Sequence, residues 1–483
     1  MAMWLLPVLL AATLAACSVG PSFRRPAPPD VSSYAPGAPP GETVSAPAAG
    51  GEAQKFVPGM EIPARWWELF GSRPLDDWVR LALAGSPTLG AARATLRQAS
   101  ENYRAQSGSL LPGIDAGLSA SRQKVAGASS GQAGLELNPF SLYNASVGVS
   151  YTLDAFGATR RELEALQAQV DFRKLQIEGA RLAISANVVT AAIREASLRA
   201  QLRATREVLS LQDELAAAVG KQFQAGSASR LDVLAQAEQV ARTRAAIPPL
   251  EKELAQTRHL LSVLAGRFPG DPEAPPEFEL DGLRLPRELP VSLPSDLVRQ
   301  RPDIRAAEEL MRTASARIGV ATANLYPRIT LTGRYGTDAS RPGDLFSPGS
   351  LAWGIGAGLL QPVFRGGTLQ AERRAAVAAY DESASLYRET VLQAFRNVAD
   401  VLRALEYDAA SLKAESEAER AAADTLDLAR KQFRLGASSY PALLDAQRRH
   451  QQARIALVQA QAARFADAAA LFQALGGGWW NGS

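Results

Sequence analysis

Cysteine occurs once in the 483 residues, at Cys17, and histidine only twice, at His259 and His450. An intrachain disulfide is therefore impossible, and a Cys/His metal site or thiol chemistry in the body of the chain lacks its ligands. No run of about eighteen apolar residues occurs, so no helix is expected to span a membrane. The net charge of +3 is small for this length and gives no argument for nucleic acid as a partner. Nucleophile motifs, metal-spaced ligands and a Gly-rich phosphate loop are missing as well, which removes the usual sequence signals of an enzyme and of a cofactor. Proline is absent between Pro139 and Pro248, so a long stretch carries no helix breaker. What remains is 47% hydrophobic and 21% charged, the balance of a folded chain.

The N-terminus carries the first positive signal. "WLLPVLLAATLAAC" is a short apolar run closed by small residues, as in a secretory h-region with its cleavage site. Residues 1–16 read as a signal peptide, although no Lys or Arg precedes the apolar run. Leu14-Ala15-Ala16-Cys17 resembles a bacterial lipobox, in which Cys17 becomes the lipidated first residue of the mature protein. The alternative is a plain signal peptide with a chance cysteine. By the same resemblance, Ser18 favours the outer membrane over inner-membrane retention. Residues 17–63 follow as a Pro-rich, lipid-anchored tether with ten prolines, a composition expected to be extended and outside any core.

The rest of the chain is written twice. "SPTLGAARATLRQASENYRAQSGSLLP" faces "RPDIRAAEELMRTASARIGVATANLYP", with Pro87 and Pro302, Arg97 and Arg312, and Pro112 and Pro327 each 215 positions apart. Later, "KQFQAGSASRLDVL" faces "KQFRLGASSYPALL", and Lys221, Phe223 and Gly226 lie 210 positions before Lys431, Phe433 and Gly436. The first repeat covers 64–266 and the second 296–476, with a Pro-rich linker at 267–295 and a tail at 477–483. Each repeat is expected to hold a helix of about twenty residues, a β-hairpin (112–154; 327–362) and a long helical hairpin (158–265; 366–475). Helices from about Ala158 to Phe223 and from about Thr368 to Phe433 would each reach about 100 Å at ~1.5 Å per residue.

Four strands are expected from period-two alternation. In "YNASVGVSYTLDAFG", Tyr143, Ala145, Val147, Val149, Tyr151 and Leu153 alternate with small or polar residues. Ile114, Ala116, Leu118 and Ala120 form a second such series, Ile329, Leu331 and Tyr335 a third, and Leu351, Trp353, Ile355, Ala357 and Leu359 a fourth. About ten tilted residues suffice to cross a bilayer. An ordinary half-buried antiparallel sheet gives the same alternation. If the strands lie in lipid, four cannot close, and several copies must pool them to satisfy the edge backbone groups. Three copies would supply twelve strands. On the first long helix, Leu163, Leu166, Val170, Leu175, Ile184, Val188 and Ile193 make an apolar stripe wider than one coiled-coil seam, as a helix gripped on two sides requires. A long antiparallel coiled-coil hairpin is the other reading.

Several stretches carry a family resemblance: "CSVGPSFRRP", "SPTLGAARA" with "RPDIRAAE", "YTLDAFG" with "LQPVFRGG", the paired "KQFxxG" turns, and "QALGGGW". Their order and spacing resemble the outer-membrane efflux protein family, the TolC-like channel tunnels, in its lipoprotein branch. The resemblance runs from Cys17 to Trp479. It implies a mixed α+β membrane protein: a homotrimer with a 12-stranded transmembrane β-barrel, four strands per protomer, continuous with a 12-helix periplasmic α-barrel, and with an equatorial region built from the linker 267–295 and the terminal segments. It also implies a passive exit duct beside a periplasmic adaptor (membrane fusion protein) and an inner-membrane RND-type transporter. A type I secretion outer-membrane component, or a lipid-anchored periplasmic scaffold, are the alternatives.

Two sites are carried over by the resemblance. The hairpin turns at Gln224, Ala225, Gly226 and Ser227 and at Arg434, Leu435, Gly436 and Ala437 match the family's adaptor-contacting tips. Any helical hairpin also needs such a glycine. Asp424, Asp427, Arg430, Arg434 and Asp445 are candidates for a periplasmic gate, against the alternative of solvated helix charges. Ser438 stands where the family has its nearest acidic tip position. His259 and His450 are expected on solvated helix faces.

Overall fold

A computed structural model describes residues 18–34, 41–124 and 138–481. In chain order the elements are β1 (Lys55–Pro58), α1 (Arg73–Gly85), α2 (Pro87–Ser107), β2 (Gly113–Gln123), β3 (Phe140–Leu153), α3 (Ala158–Gln224), α4 (Arg230–Leu264), β4 (Glu288–Val291), α5 (Pro294–Gln300), α6 (Pro302–Ala323), β5 (Arg328–Ala339), β6 (Leu351–Leu360), α7 (Thr368–Arg434) and α8 (Tyr440–Ala474). The duplication is metrical: α3 and α7 have 67 residues each, and α4 and α8 have 35 each. The chain divides into two compact units, one of 18–26, 95–173 and 306–387, the other of 27–94, 174–305 and 388–481.

The first unit is organised by an antiparallel sheet in the order β2-β3-β5-β6. Its strands run to 14 residues in β3, longer than the ten expected. The connection between β5 and β6 is the shorter of the two hairpin loops, which accounts for the five-residue difference between the repeat offsets. The abrupt passage from strand to helix after Leu153 has a local cause. Asp154 accepts hydrogen bonds from the Thr159 and Arg160 amides at 2.9 and 3.0 Å, and Arg160 closes back on the same carboxylate at 3.0 Å. One side chain thus satisfies two orphan donors at the start of α3 and places a negative charge at its positive end. The chain that follows Cys17 lies against this junction. Val19 N–H donates to Phe156 O at 3.2 Å, Arg161 Nη2 donates to Gly20 O at 3.2 Å, and Arg25 pairs with Glu308 at 2.6 Å.

The second unit overturns two expectations. Residues 17–63 were expected outside any core, yet Phe56 and Ile62 are buried, and β1 pairs in parallel with β4 of the Pro-rich linker to make a second, two-stranded sheet. Among the described residues there are therefore six strands, not four. The physical reason is that apolar residues spaced among the prolines find partners on both segments. Gln54 Nε2 donates to Pro286 O at 2.8 Å, and the linker buries Phe278, Leu280, Leu283, Leu285 and Leu289. Glu195 is fully buried on α3 and accepts from Arg199 at 2.6 Å, Arg258 at 3.0 Å and the Phe278 amide at 2.9 Å. Trp66 stacks on Phe472 at 5.5 Å and anchors the C-terminal end of α8. The chain leaves α8 through Gly476, Gly477 and Gly478, all at positive φ; a Cβ on Gly478 would lie 2.2 Å from Ile62 O. The histidine expectation holds for His259, which is exposed. His450 is half-buried instead, with Nε2 3.7 Å from Glu419 Oε1.

Candidate functional site

The register of the four-stranded sheet sorts most of its side chains into an apolar and a polar face, with Thr337 on the apolar one and Leu142 and Leu360 on the polar one as exceptions. Val147 lies opposite Ala116 on one side and Tyr335 on the other, and Tyr335 lies opposite Trp353. Directly opposed residues share a face, so Ile114, Leu118, Val149, Leu331, Ile355 and Leu359 stand on one surface with them. Asp115, Ser119, Asn144, Ser146, Thr332, Arg334 and Asp338 occupy the other. Among the described residues the middle of the apolar surface is left uncovered: Trp353 is 71% exposed and Ile355 84%. An apolar patch spanning all four strands is far outside what a lone soluble sheet presents to water. The polar surface is internally satisfied, with Arg334 and Asn144 both donating to Asp338 Oδ1, at 3.1 and 2.8 Å. Both outer edges, on β2 and β6, lack a strand partner among the described residues. No described helix is long and apolar enough to cross a membrane.

The two hairpin turns are near copies. After Gln224, Gly226 N–H donates to Phe223 O at 3.0 Å and Ser227 N–H to Gln222 O at 2.8 Å; after Arg434, Gly436 N–H donates to Phe433 O at 3.0 Å and Ala437 N–H to Gln432 O at 2.9 Å. This six-to-one bond with a left-handed glycine is a Schellman stop, and φ is +76° at Gly226 and +71° at Gly436. Gln224, Ala225, Gly226, Ser227, Arg434, Leu435, Gly436 and Ala437 are all exposed. The returning helices start differently. Ser229 and Asp232 form a reciprocal capping box, and the Ser229 hydroxyl bond is the main cause that lowers the Asp232 carboxyl below its ordinary range. Ser439 makes no such bond, and Ala442 stands in the place of Asp232.

Within one chain no hydrogen bond or ion pair joins the five gate candidates to one another among the described residues. Among the described residues Asp427 pairs with Lys431 at 2.5 Å, one turn along its own helix, and Asp445 with Arg448 and Arg449 at 2.7 Å each. The hydrogen bond from Arg448 is the main cause that holds the Asp445 carboxyl below the ordinary carboxylate range. Asp424 and Arg434 are exposed, and Arg430 is half-buried. Sequence reasoning passed over the residues that do join the hairpins. Tyr440, at the start of α8, donates its phenol proton to Gln236 on α4, and Gln236 Nε2 donates to Gln212 O on α3 at 2.7 Å. Burial raises the Tyr440 phenol well above its usual value. Leu215, Leu426, Phe433, Leu443 and Ala446 pack beside this tie. The signal was available in the duplication: Arg230 and Ala446 stand in the places of Tyr440 and Gln236, and they carry neither the phenol nor the amide that makes these bonds. Cys17, the lipidation candidate, and the signal peptide 1–16 lie outside the described residues.

Comparison with known proteins agrees with this geometry. The family model described as "Outer membrane efflux protein" matches residues 78–267 and 293–477, the two repeats. The chain is 33% identical over 422 residues to the pyoverdine export outer membrane protein OpmQ of Pseudomonas aeruginosa, covering 86% of this chain and 87% of that one. It is 31% identical over 483 residues to the outer membrane protein OprJ of the same organism, covering 98% and 96%. Among solved structures, the outer-membrane channel OprN superposes with a TM-score of 0.83 at 26% identity, covering 96% of this chain and all of that one. The open-state MtrE outer membrane channel of Neisseria gonorrhoeae gives a TM-score of 0.81 at 27% identity, covering 96% and 99%. The chain therefore belongs to the outer membrane efflux protein family, a family of channels and not of enzymes, seated in the outer membrane and extending into the periplasm.

Proposed function

We propose that three copies of this chain close a 12-stranded transmembrane barrel, continuous with a 12-helix periplasmic barrel, and that the trimer is the passive exit duct of a tripartite efflux system. One observation carries the reading: among the described residues, a sheet with one predominantly apolar, exposed face, one mainly polar face and two edges without a strand partner. In lipid, each unpaired edge group would cost several kcal/mol, so the sheet demands closure with further copies. Four strands per chain make three copies the smallest ring that encloses a wet interior lined by the polar face. The duct has no chemistry of its own; free energy enters from an inner-membrane RND-type transporter, passed on through a periplasmic adaptor.

The adaptor is proposed to meet the turns at Gly226 and Gly436, where the chain offers its exposed hairpin ends. Asp424, Asp427, Arg430, Arg434 and Asp445 remain proposed gate residues. Acylation of Cys17 is proposed as a second hold on the outer membrane, since Ser18 and Val19 lie against the strand-to-helix junction at Phe156 and Gly157. The test is conductance of the purified trimer in planar bilayers, together with fractionation of a Cys17→Ser variant. The duct predicts ion-conducting trimers and a variant that stays in the membrane through its barrel. A non-conducting protein that salt alone extracts would refute it.

A further inference from the structure

On the apolar face of the four-stranded sheet one position carries no side chain. Gly333 on β5 lies between Val149 of β3 and Ile355 of β6, and the next row of that face holds Val147, Tyr335 and Trp353. These side chains stand round a hollow of about 490 Å³. Nothing local requires glycine at 333. Its φ lies outside the left-handed region, and a Cβ there would meet nothing within 4 Å. A branched apolar residue, the ordinary choice on such a strand, would fit. The glycine leaves room on a surface that excludes water.

The described chain begins at the foot of the same two strands. A Cβ on Gly157, just past the end of β3, would lie 2.8 Å from Ser18 Oγ, and one on Gly20 would lie 2.5 Å from Gly319 Cα on α6, the helix that runs into β5. Val19 N–H donates to Phe156 O at 3.2 Å. This segment and the sheet belong to one compact unit. Cys17 directly precedes Ser18, so a lipid on Cys17 is delivered below β3 and β5. From Leu153 up to Val149 is about 13 Å, at ~3.3 Å per residue. A chain crossing one leaflet covers about 15 Å, half of a hydrocarbon core about 30 Å thick. The way up is apolar, with Leu153 opposite Ile329 and Tyr151 opposite Leu331.

We propose that an acyl chain carried by Cys17 runs up the outer face along β3 and β5 and ends in the hollow at Gly333. The anchor is then a ligand bound to its own wall as well as a tether in lipid. A free phospholipid would have to give up its lateral motion to stay in that place, whereas the anchor has given it up already at Ser18 and Val19. The seat rests on the barrel and on the acylation proposed above, and adds to them where the chain lies.

The test maps the acyl chain directly. Cells are fed a diazirine-bearing fatty acid, outer membranes are irradiated, and the peptides joined through the Cys17 lipid are identified by mass spectrometry. Linkage is expected to concentrate at 147–149, 333–335 and 353–355, with little on β2. Gly333→Leu fills the hollow and should lower that linkage several-fold while trimers persist. In Cys17→Ser, a photoreactive phospholipid added to the membranes should label 333–335 several-fold more than it labels the native protein, because the seat is vacant. Linkage scattered over the outer face, or equal labelling of Cys17→Ser and native protein, would overturn the seat. Should Gly333→Leu fail to assemble, the native map and the Cys17→Ser comparison decide alone. A Cys17 peptide without lipid would overturn the seat together with the acylation, and unmodified protein without trimers would overturn it together with the barrel.

Discussion

The Tyr440 hydroxyl donates to Gln236 Oε1, and this one buried bond fastens the second helical hairpin to the first close to their turns. Tyr440→Phe removes the donor and leaves a buried amide oxygen unpaired in a chain that already buries both polar atoms of Gln212 without partners. The expected cost is about 1–3 kcal/mol, felt locally. Amide exchange should quicken around 212, 236 and 440 while the trimer persists. Unchanged protection there would mean that the apolar packing of Leu215, Leu426 and Leu443 holds the ends by itself.

Gly226 and Gly436 have nothing within 4 Å of where a Cβ would sit, so only backbone conformation restricts them. A β-branched residue at φ +76° or +71° is strained by about 1–2 kcal/mol, whereas asparagine tolerates the left-handed region. Gly226→Asn should therefore keep drug resistance in a strain that relies on this duct. Gly226→Val should lose it with trimers intact. Equal behaviour of the two variants, read as minimum inhibitory concentrations, would detach the turn geometry from export.

Glu195 holds the Pro-rich linker to α3 through the Phe278 amide and two arginines. Glu195→Ala leaves those guanidinium groups facing an apolar gap. Their partial exposure, and the bond from Arg199 to Glu277, place the loss near the low end of about 3–5 kcal/mol. The sensitive readout is limited proteolysis between 267 and 285, which should become fast in the variant. A linker as resistant as the native one would mean that Phe278, Leu280 and Leu289 suffice to hold it.

Alternation in β3 and the repeat offsets made the sheet and the long helices legible, because both depend on local period and on breakers placed by the sequence itself. The two-stranded sheet of β1 and β4 was not legible. Its residues are more than two hundred positions apart, and proline in each segment hides the short pairing. The tie of Tyr440 to Gln236 escaped for a related reason. It appears only when the halves are compared for their differences, whereas the duplication was found through their likeness. Within one chain, two of the gate candidates, Asp427 and Asp445, pair with bases about one turn away on their own helices, as charges spaced along exposed helix faces do.

Asp467 on α8 is caught between burial and the neighbouring Asp408 carboxyl on α7, which together push it up to about 8 against the opposing charge of Arg464. Arg464, itself fully buried, is turned toward Leu405 O at 2.9 Å and Thr43 Oγ1 at 3.2 Å, so it does not neutralise the pair. In an unfolded chain Asp467 would release its proton near pH ~4. From there up to about pH 8 the folded protein holds a proton that the unfolded chain has lost, so stability falls as pH rises through that window and levels off above it. The Asp467→Asn variant keeps a neutral, hydrogen-bonding side chain beside Asp408 and has no proton to lose. Thermal midpoints of the solubilised trimer should therefore decline more steeply from pH 5 to pH 8 in the native protein than in the variant (a window of about three units set by the raised value). Glu52, the remaining acid near Arg464, is unchanged in both proteins, so parallel curves would show that Asp467 is ionised in the folded state and that Arg464 reaches it after all.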